Sequence, residues 1–423
     1  MSFVGKAKKR LYFFVASYFK LFANHSLKKW HPRIIAVTGS VGKTTMLALL
    51  EAEMGDKAHY SHNANSAFGI SFDILGMRGI TGTKLRWLYL IIAAPIKSLY
   101  FRHHQKFYVV EIDGERPRET EFLARWLRPE VTVWVSLGRS HASFFDAEVA
   151  SGRFATVEQA ITHEFATLPQ HTTKLVLTDA DNPMMLTATT DLKAKVIPLK
   201  KSAITKYTVH PTHTEFTLGR HVFRFVQPLP PDFAIQLVML EKLLLHLDLP
   251  INYDLSNLSI PPGRSSFFKG KNGLELIDSS YNAHLISMAS ILDMARHLKV
   301  SHKWLVIGDI IDQGVSEHIE HEKLAHLIAD TRPEQVILVG HRTHKYTLPL
   351  LKELNINTVS FKIPQDALAF IEKHATGQET IIFKGSQYLE WIVEKLLSNP
   401  ADASLLCRRE PAAIKRREKR GLT

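Results

Sequence analysis

The sequence has one cysteine, Cys407, which excludes a disulfide framework and any multi-cysteine zinc site and fits a reducing compartment. It also lacks an apolar run of the about 20 residues that a membrane span needs. Leu11–Phe19 is broken by Lys20, and the ten residues Trp87–Ile96 contain Pro95. The charged-then-apolar start has the layout of a signal peptide, but no small-residue cleavage site follows it. There is no low-complexity tract, internal repeat or nucleic-acid-binding motif, so a nucleic-acid partner is not expected.

What is present is a folded composition, 45% hydrophobic and 22% charged over 423 residues, enough for two or three domains with their own cores. The net charge of +12 suits phosphorylated ligands or an anionic surface. Part of the excess sits at the ends, in Lys6, Lys8, Lys9 and Arg10 and in the stretch from Arg408 to Arg420. Leu11, Phe14, Val15, Tyr18 and Phe22 recur at helical spacing. Residues 1–32 therefore read as a basic amphipathic helix, which either packs on the body or makes peripheral membrane contact through residues 6–29.

From residue 33 strands and helices alternate, which predicts α/β architecture with a mainly parallel sheet. Arg33–Thr38, Phe107–Ile112, Val131–Ser136 and Lys174–Thr178 read as buried strands, and Thr45–Met54 as a helix. Pro261-Pro262-Gly263 interrupts the pattern. A second series follows, with strands at Leu274–Ile277, Trp304–Ile307, Gln335–Val339, Thr358–Phe361 and Thr380–Phe383 and a helix at Ile286–Leu298. Four segments result: a helix at 1–32, a central domain at 33–260, a C-terminal domain at 261–398, and a basic tail at 399–423 expected to be poorly ordered.

The sharpest local signal is Gly39-Ser40-Val41-Gly42-Lys43-Thr44-Thr45, placed after a strand and opening a helix. Glycines let the backbone approach phosphates, whose oxygens take consecutive N–H donors at a helix N-terminus. Lys43 would reach the β- and γ-phosphates of ATP, and the Thr44 hydroxyl would ligate Mg²⁺. The spacing is shorter than the general phosphate-loop pattern, because Val37 stands where its first glycine would be.

This short loop resembles that of the Mur ligases, which build the peptide of bacterial cell-wall precursors. Further stretches resemble the same family in its order: Asn63–Ile70, Val110-Glu111-Ile112-Asp113 with Arg128–Val131 and His141, Pro262-Gly263-Arg264, and Ile277–Ala283 continuing through Ser287-Met288. Val306–Gly314 and Phe383-Lys384-Gly385-Ser386 complete the series. The resemblance spans about residues 33–397. It implies a phosphate-loop-containing central parallel-sheet domain followed by a smaller, Rossmann-like doubly wound C-terminal domain.

It also implies an ATP-dependent acid–amino-acid ligase of peptidoglycan synthesis, hence of cell-wall biogenesis and cell shape. Such an enzyme would be cytoplasmic and monomeric, and its substrate a small-molecule or peptide cell-wall precursor. Lys43, Glu111 and His141 would be catalytic, with Thr44, Glu111 and His141 on Mg²⁺. Arg264, Asp278, Tyr281 and Asn282 would join the loop in binding ATP. Asn65, Ser66, Asp309, Asp312, His321 and Lys384 would face the substrate.

Departures accompany the resemblance. The family's metal-site lysine has no counterpart in Glu158–Phe165, so either His163 or Glu164 substitutes or the second metal is held differently, and the family's His-Asn pair is replaced around Pro230–Ala234. Ser279 stands for an Asp, and Gln387 for an Arg. Residues 1–32 do not resemble the family's UDP-binding domain. Lys84–Phe107, with Trp87, Tyr89 and Tyr100, is a replacement surface or, on the blander reading, helix packing. Three functions stay open: a muramoyl-peptide ligase, a relative acting on poly-γ-glutamate or lipid-linked precursors, and a non-catalytic nucleotide-binding homologue.

Overall fold

Short β-branched runs between helices build two separate sheets, seen in a computed structural model that describes residues 3–62, 64–79, 84–114, 116–139 and 142–422. The side chains of residues 3–10 and of Lys84 fall outside the description, as do Asn63 and His141. The chain divides into two compact units. Unit 1 comprises residues 1–138, 144–200 and 235–251; unit 2 comprises 139–143, 201–234 and 252–423.

In unit 1 the strands β1 (Arg33–Thr38), β2 (Ala58–Tyr60), β3 (Phe107–Ile112), β4 (Val131–Trp134), β5 (Leu175–Asp179) and β6 (Lys195–Leu199) are parallel, in the order β2-β3-β1-β4-β5-β6. β1, β3, β4 and β5 are almost wholly buried, as expected of a sheet covered on both faces. The order reverses direction around β1, so the loop leaving its C-terminal end opens at a topological switch point.

Helix α1 (Phe3–Trp30) covers one face together with α3 (Ala67–Ile74), α4 (Lys84–Tyr100) and α5 (Glu119–Leu127). Ala16, Phe19 and Ala23 are fully buried against Ile70, Phe72, Tyr108 and Val110. The packing alternative for this segment is therefore realised along one face, while Leu11, Phe14 and Leu21 on the other stay exposed.

Unit 2 contains β7 (Ile204–His210), β8 (His213–Leu218) and β9 (His221–Phe225) as an antiparallel sheet that the residue pattern had not suggested. Its main sheet runs β10 (Ser266–Lys269), β11 (Glu275–Ser279), β15 (Glu379–Lys384), β12 (His302–Gly308), β13 (Gln335–Val339), β14 (Thr358–Phe361). All neighbours are parallel except β10 with β11, so the sheet is mixed at that edge.

The tail corrects an expectation. Residues 399–423 read as polar and loosely held, yet the segment folds on unit 2 as Pro400–Leu405 and the helix Pro411–Glu418. Leu406, Cys407 and Leu422 are buried, and Glu394 accepts from Arg409 at 2.7 Å and from Arg417 at 2.6 Å. Three apolar anchors and a shared carboxylate offset the charge that had suggested a solvated tail.

Candidate active site

The loop between β1 and α2 (Lys43–Met54) is latched to the end of β4. Ser40 N–H donates to the Ser136 carbonyl at 3.2 Å, and the Ser40 hydroxyl bonds the Gly138 carbonyl at 2.8 Å. Ser136 Oγ accepts from Val41 N–H at 2.9 Å. Two glycines are required by geometry. Gly39 has φ +144°, and a Cβ there would sit 2.8 Å from Val135 Cγ2; Gly42 has φ +85°, and its Cβ would meet Gln236 Nε2 at 2.7 Å. α2 starts at Lys43 with no acidic residue in its first turn, which leaves its N–H end suited to an anion.

Lys43 is buried, and Nζ donates to the Gly39 carbonyl at 2.6 Å with Asp113 Oδ1 at 3.2 Å. Asp113 in turn accepts from Asn65 Nδ2 at 3.3 Å, and its N–H donates to the Asn65 carbonyl at 3.2 Å. Glu111 lies two residues earlier on β3, buried and in register with Val37. Thr44 and Thr45 follow in the first turn of α2. Ser66 caps α3 by accepting from Gly69 N–H at 3.2 Å. The loop, Glu111 and Asn65 thus gather at one end of the β1–β3 pair, whereas His141 lies outside the described residues.

Beside Asp113 a cleft of about 340 Å³ is lined by Tyr12, Asn65, Ser66, Phe68, Arg116 and Glu119, among others. Glu119 accepts from Ala67 N–H at 2.9 Å and from the Tyr12 hydroxyl, whose proton burial and the Glu119 charge hold well above the usual phenol range. The Arg116 guanidinium lies 5.2 Å from the Tyr12 ring centre. Tyr12, Arg116 and Glu119 were not singled out from the sequence. Tyr12 is remote from the motifs, and only the packing of α1 brings it here.

Both oxygens of Glu164, one of the residues offered in place of the family's lysine, are engaged by backbone N–H groups. Its two oxygens accept Arg118 N–H at 2.7 Å and Thr120 N–H at 2.8 Å, which caps the start of α5, and burial raises its carboxyl. His163 is exposed beside the Phe154 ring. Among the described residues no group of three or more His, Cys, Asp and Glu side chains forms a metal cluster.

Unit 2 gathers a second set of expected residues. Arg264 stands over the Tyr281 ring at 4.2 Å. Asp278 is fully buried, and burial raises its carboxyl; Oδ1 accepts Ser280 N–H at 3.0 Å, while Oδ2 has no hydrogen-bond partner among the described residues. Lys384 Nζ donates to the Asn282 carbonyl at 2.7 Å; burial, reinforced by the Arg264 charge, pulls the ammonium down to about 7.

Asp309 and His321 do structural work in the same unit. Asp309 Oδ1 accepts from the N–H groups of Arg342 and Thr343, and Oδ2 from Gln387 at 3.0 Å. His321 accepts Ile310 N–H at 3.2 Å and donates through Nδ1 to the Glu317 carbonyl at 2.8 Å, with burial lowering its proton affinity. Asp312 is exposed, with φ +61°.

The sheets and loop define a class: an α/β protein with a phosphate-loop domain and a mixed-sheet domain. The Mur ligase glutamate ligase domain matches residues 263–387. The chain is a homologue of the Mur ligases. Relatives include UDP-N-acetylmuramoyl-tripeptide--D-alanyl-D-alanine ligases. That of Escherichia coli (strain K12) is 23% identical over 74% of this chain and 65% of its own length. That of Bacillus subtilis (strain 168) is 23% identical over 88% and 78%. The chain thus spans less than two thirds of the first relative.

Solved structures share the fold. MurF from Acinetobacter baumannii aligns with TM-score 0.71 and 18% identity over 90% of this chain and 80% of its own. The MurF ligase of Thermotoga maritima in complex with ADP aligns with TM-score 0.72 and 17% identity over 90% and 82%.

Proposed function

We propose that this chain is an ATP-dependent amide-bond ligase that adds a dipeptide or amino acid to a muramoyl-peptide cell-wall precursor. The observation that carries the reading is Lys43, held between the Gly39 carbonyl and Asp113 in a glycine-shaped loop beside a polar cleft. The activity of the relatives and the ADP-bound neighbour support it.

In the reaction, a substrate carboxylate oxygen attacks the γ-phosphorus of ATP, the bond to the β-phosphate oxygen breaks, and ADP leaves. The amine then attacks the acyl phosphate carbon, phosphate departs, and the amine loses a proton. Lys43 balances charge on the transferred group, and the N–H groups of residues 42–45, at the start of α2, orient the phosphates. Arg116, which lines the cleft, would hold a second carboxylate of the acceptor. In unit 2, Arg264, Asp278, Tyr281 and Asn282 bind the nucleotide, which would give Asp278 Oδ2 its missing donor.

The oxygens of Thr44 and Glu111 fit Mg²⁺, a cation that prefers hard oxygen ligands. They would hold it, with His141 as a third ligand, and it would neutralise phosphate charge.

The test is ADP release from the full chain with UDP-muramoyl-tripeptide and D-alanyl-D-alanine, repeated with glutamate and with lipid-linked acceptors. Release dependent on the first pair supports the reading. ATP binding with no release under any acceptor overturns it in favour of a non-catalytic homologue.

A further inference from the structure

Helix α4 is amphipathic in an unusual sense: its outward face is the apolar one. Leu90, Ala93, Ala94 and Ser98 turn inward and are buried. Leu85, Leu88, Ile92, Ile96, Leu99 and Tyr100 recur at helical spacing on the opposite side, and each is 53% exposed or more. A soluble surface rarely concentrates large apolar side chains in this way without a use.

The neighbouring helix extends the patch. α1 lies alongside α4, with the Tyr18 hydroxyl donating to the Ile91 carbonyl at 2.8 Å and Lys29 Nζ to the Ser98 carbonyl at 3.3 Å. It adds the exposed side chains of Leu11, Phe14 and Leu21.

Charge points to the occupant. The chain has no Asp or Glu from residue 1 to 50, nor from 74 to 110. Those two stretches carry Lys20, Lys28, Lys29, Arg86, Lys97 and Arg102. The carboxylates of the neighbouring helices α3 and α5 are engaged: Asp73 by His59 and Tyr108, Glu119 by Tyr12, and Glu121 by Arg125. An apolar stripe flanked by cations and free of anions is the surface that sits in the headgroup region of an anionic bilayer. No helix of the described residues is long and apolar enough to cross a membrane, so contact would be interfacial.

We propose that the exposed faces of α4 and α1 form a docking surface for anionic lipid bilayers, with α4 inserting its apolar stripe and the basic residues meeting the headgroups. This inference is independent of the ligase reading. The cleft lies against the same helices: Tyr12 of α1 lines it, and Phe68 on its wall meets Trp87 of α4.

The test is flotation of the full chain with phosphatidylglycerol–phosphatidylcholine vesicles and with phosphatidylcholine alone. The expected result is co-flotation with the anionic vesicles that weakens at high salt. The triple variant Leu88→Ser, Ile92→Ser, Ile96→Ser should lower the bound fraction at least tenfold with an unchanged thermal midpoint. A control in unit 2, Val315→Ser with Leu354→Ser, should float like the parent. Absence of flotation, or flotation that survives the triple variant, overturns the proposal. So does a parent dimer that the triple variant converts to a monomer, since a second copy would then cover the face.

Discussion

Two buried lysines stand at the candidate sites, and they are kept in opposite ways. Lys43 in unit 1 has a carboxylate oxygen at 3.2 Å and a carbonyl at 2.6 Å. Lys384 in unit 2 has a carbonyl at 2.7 Å but no carboxylate at ion-pair distance among the described residues, with Arg264 adding like charge. A carboxylate beside an ammonium favours its charged form, whereas desolvation without such a partner brings Lys384 down to about 7, where it can bind or release a proton. The difference separates an ammonium with a carboxylate partner from one whose charge follows its surroundings.

The comparison can be broken most severely at Lys43. Lys43→Ala should lower ADP release about 1,000-fold or more, by loss of charge stabilisation on the transferred group. Retained turnover would remove the loop from the mechanism. Asp113→Asn tests the partner: it should cost about 10- to 100-fold in kcat/KM, because Lys43 loses the carboxylate that positions it. Steady-state kinetics on a variant with an unchanged circular dichroism spectrum would show this.

At Lys384 the expected effect is on stability. The unfolded chain holds the lysine proton up to its usual value near 10.5, and the folded protein releases it around 7. Between those values the unfolded state binds more protons, so stability rises with pH, by up to about 1 kcal/mol per pH unit. Urea unfolding at intervals from pH 7 to 10 should show the slope, and Lys384→Met should flatten it. A slope unchanged in the variant would mean the ammonium is not desolvated as described.

Smaller effects come from the supports around each site. Glu164→Gln leaves α5 less well capped and should cost about 1–2 kcal/mol in unfolding free energy, with ATP binding intact. Cys407 beside the second site is buried, and burial pushes its thiol up to about 12. It should therefore react with a thiol reagent far more slowly in the native protein than in urea.

Much of this was legible from residue order. The loop Gly39–Thr45 follows β1 and opens α2 as the spacing predicted, and most parallel strands fall within a residue or two of their expected runs. These features are local: a glycine's φ, an N–H end and a short apolar run depend on neighbours in sequence. The antiparallel strands β7–β9 escaped because many of their residues are polar and partly exposed, with little of the continuous apolar signal of a central strand. The tail was misjudged because a count of its charges does not reveal that Glu394 gathers two of its arginines.

By itself, the sequence determined that a phosphate loop sits on a strand–helix turn, that two α/β series follow one another, and that the motifs occur in the Mur ligase order. Only the tertiary structure decided which carboxylate faces Lys43, that Glu164 is occupied as a helix cap, and that α1 supplies Tyr12 to the cleft. The reason is physical: a motif specifies backbone conformation over a few residues. Partnership between groups 52 to 107 positions apart, such as the Ala67 N–H, the Glu119 carboxylate and the Tyr12 hydroxyl, is set by how helices pack on the sheet.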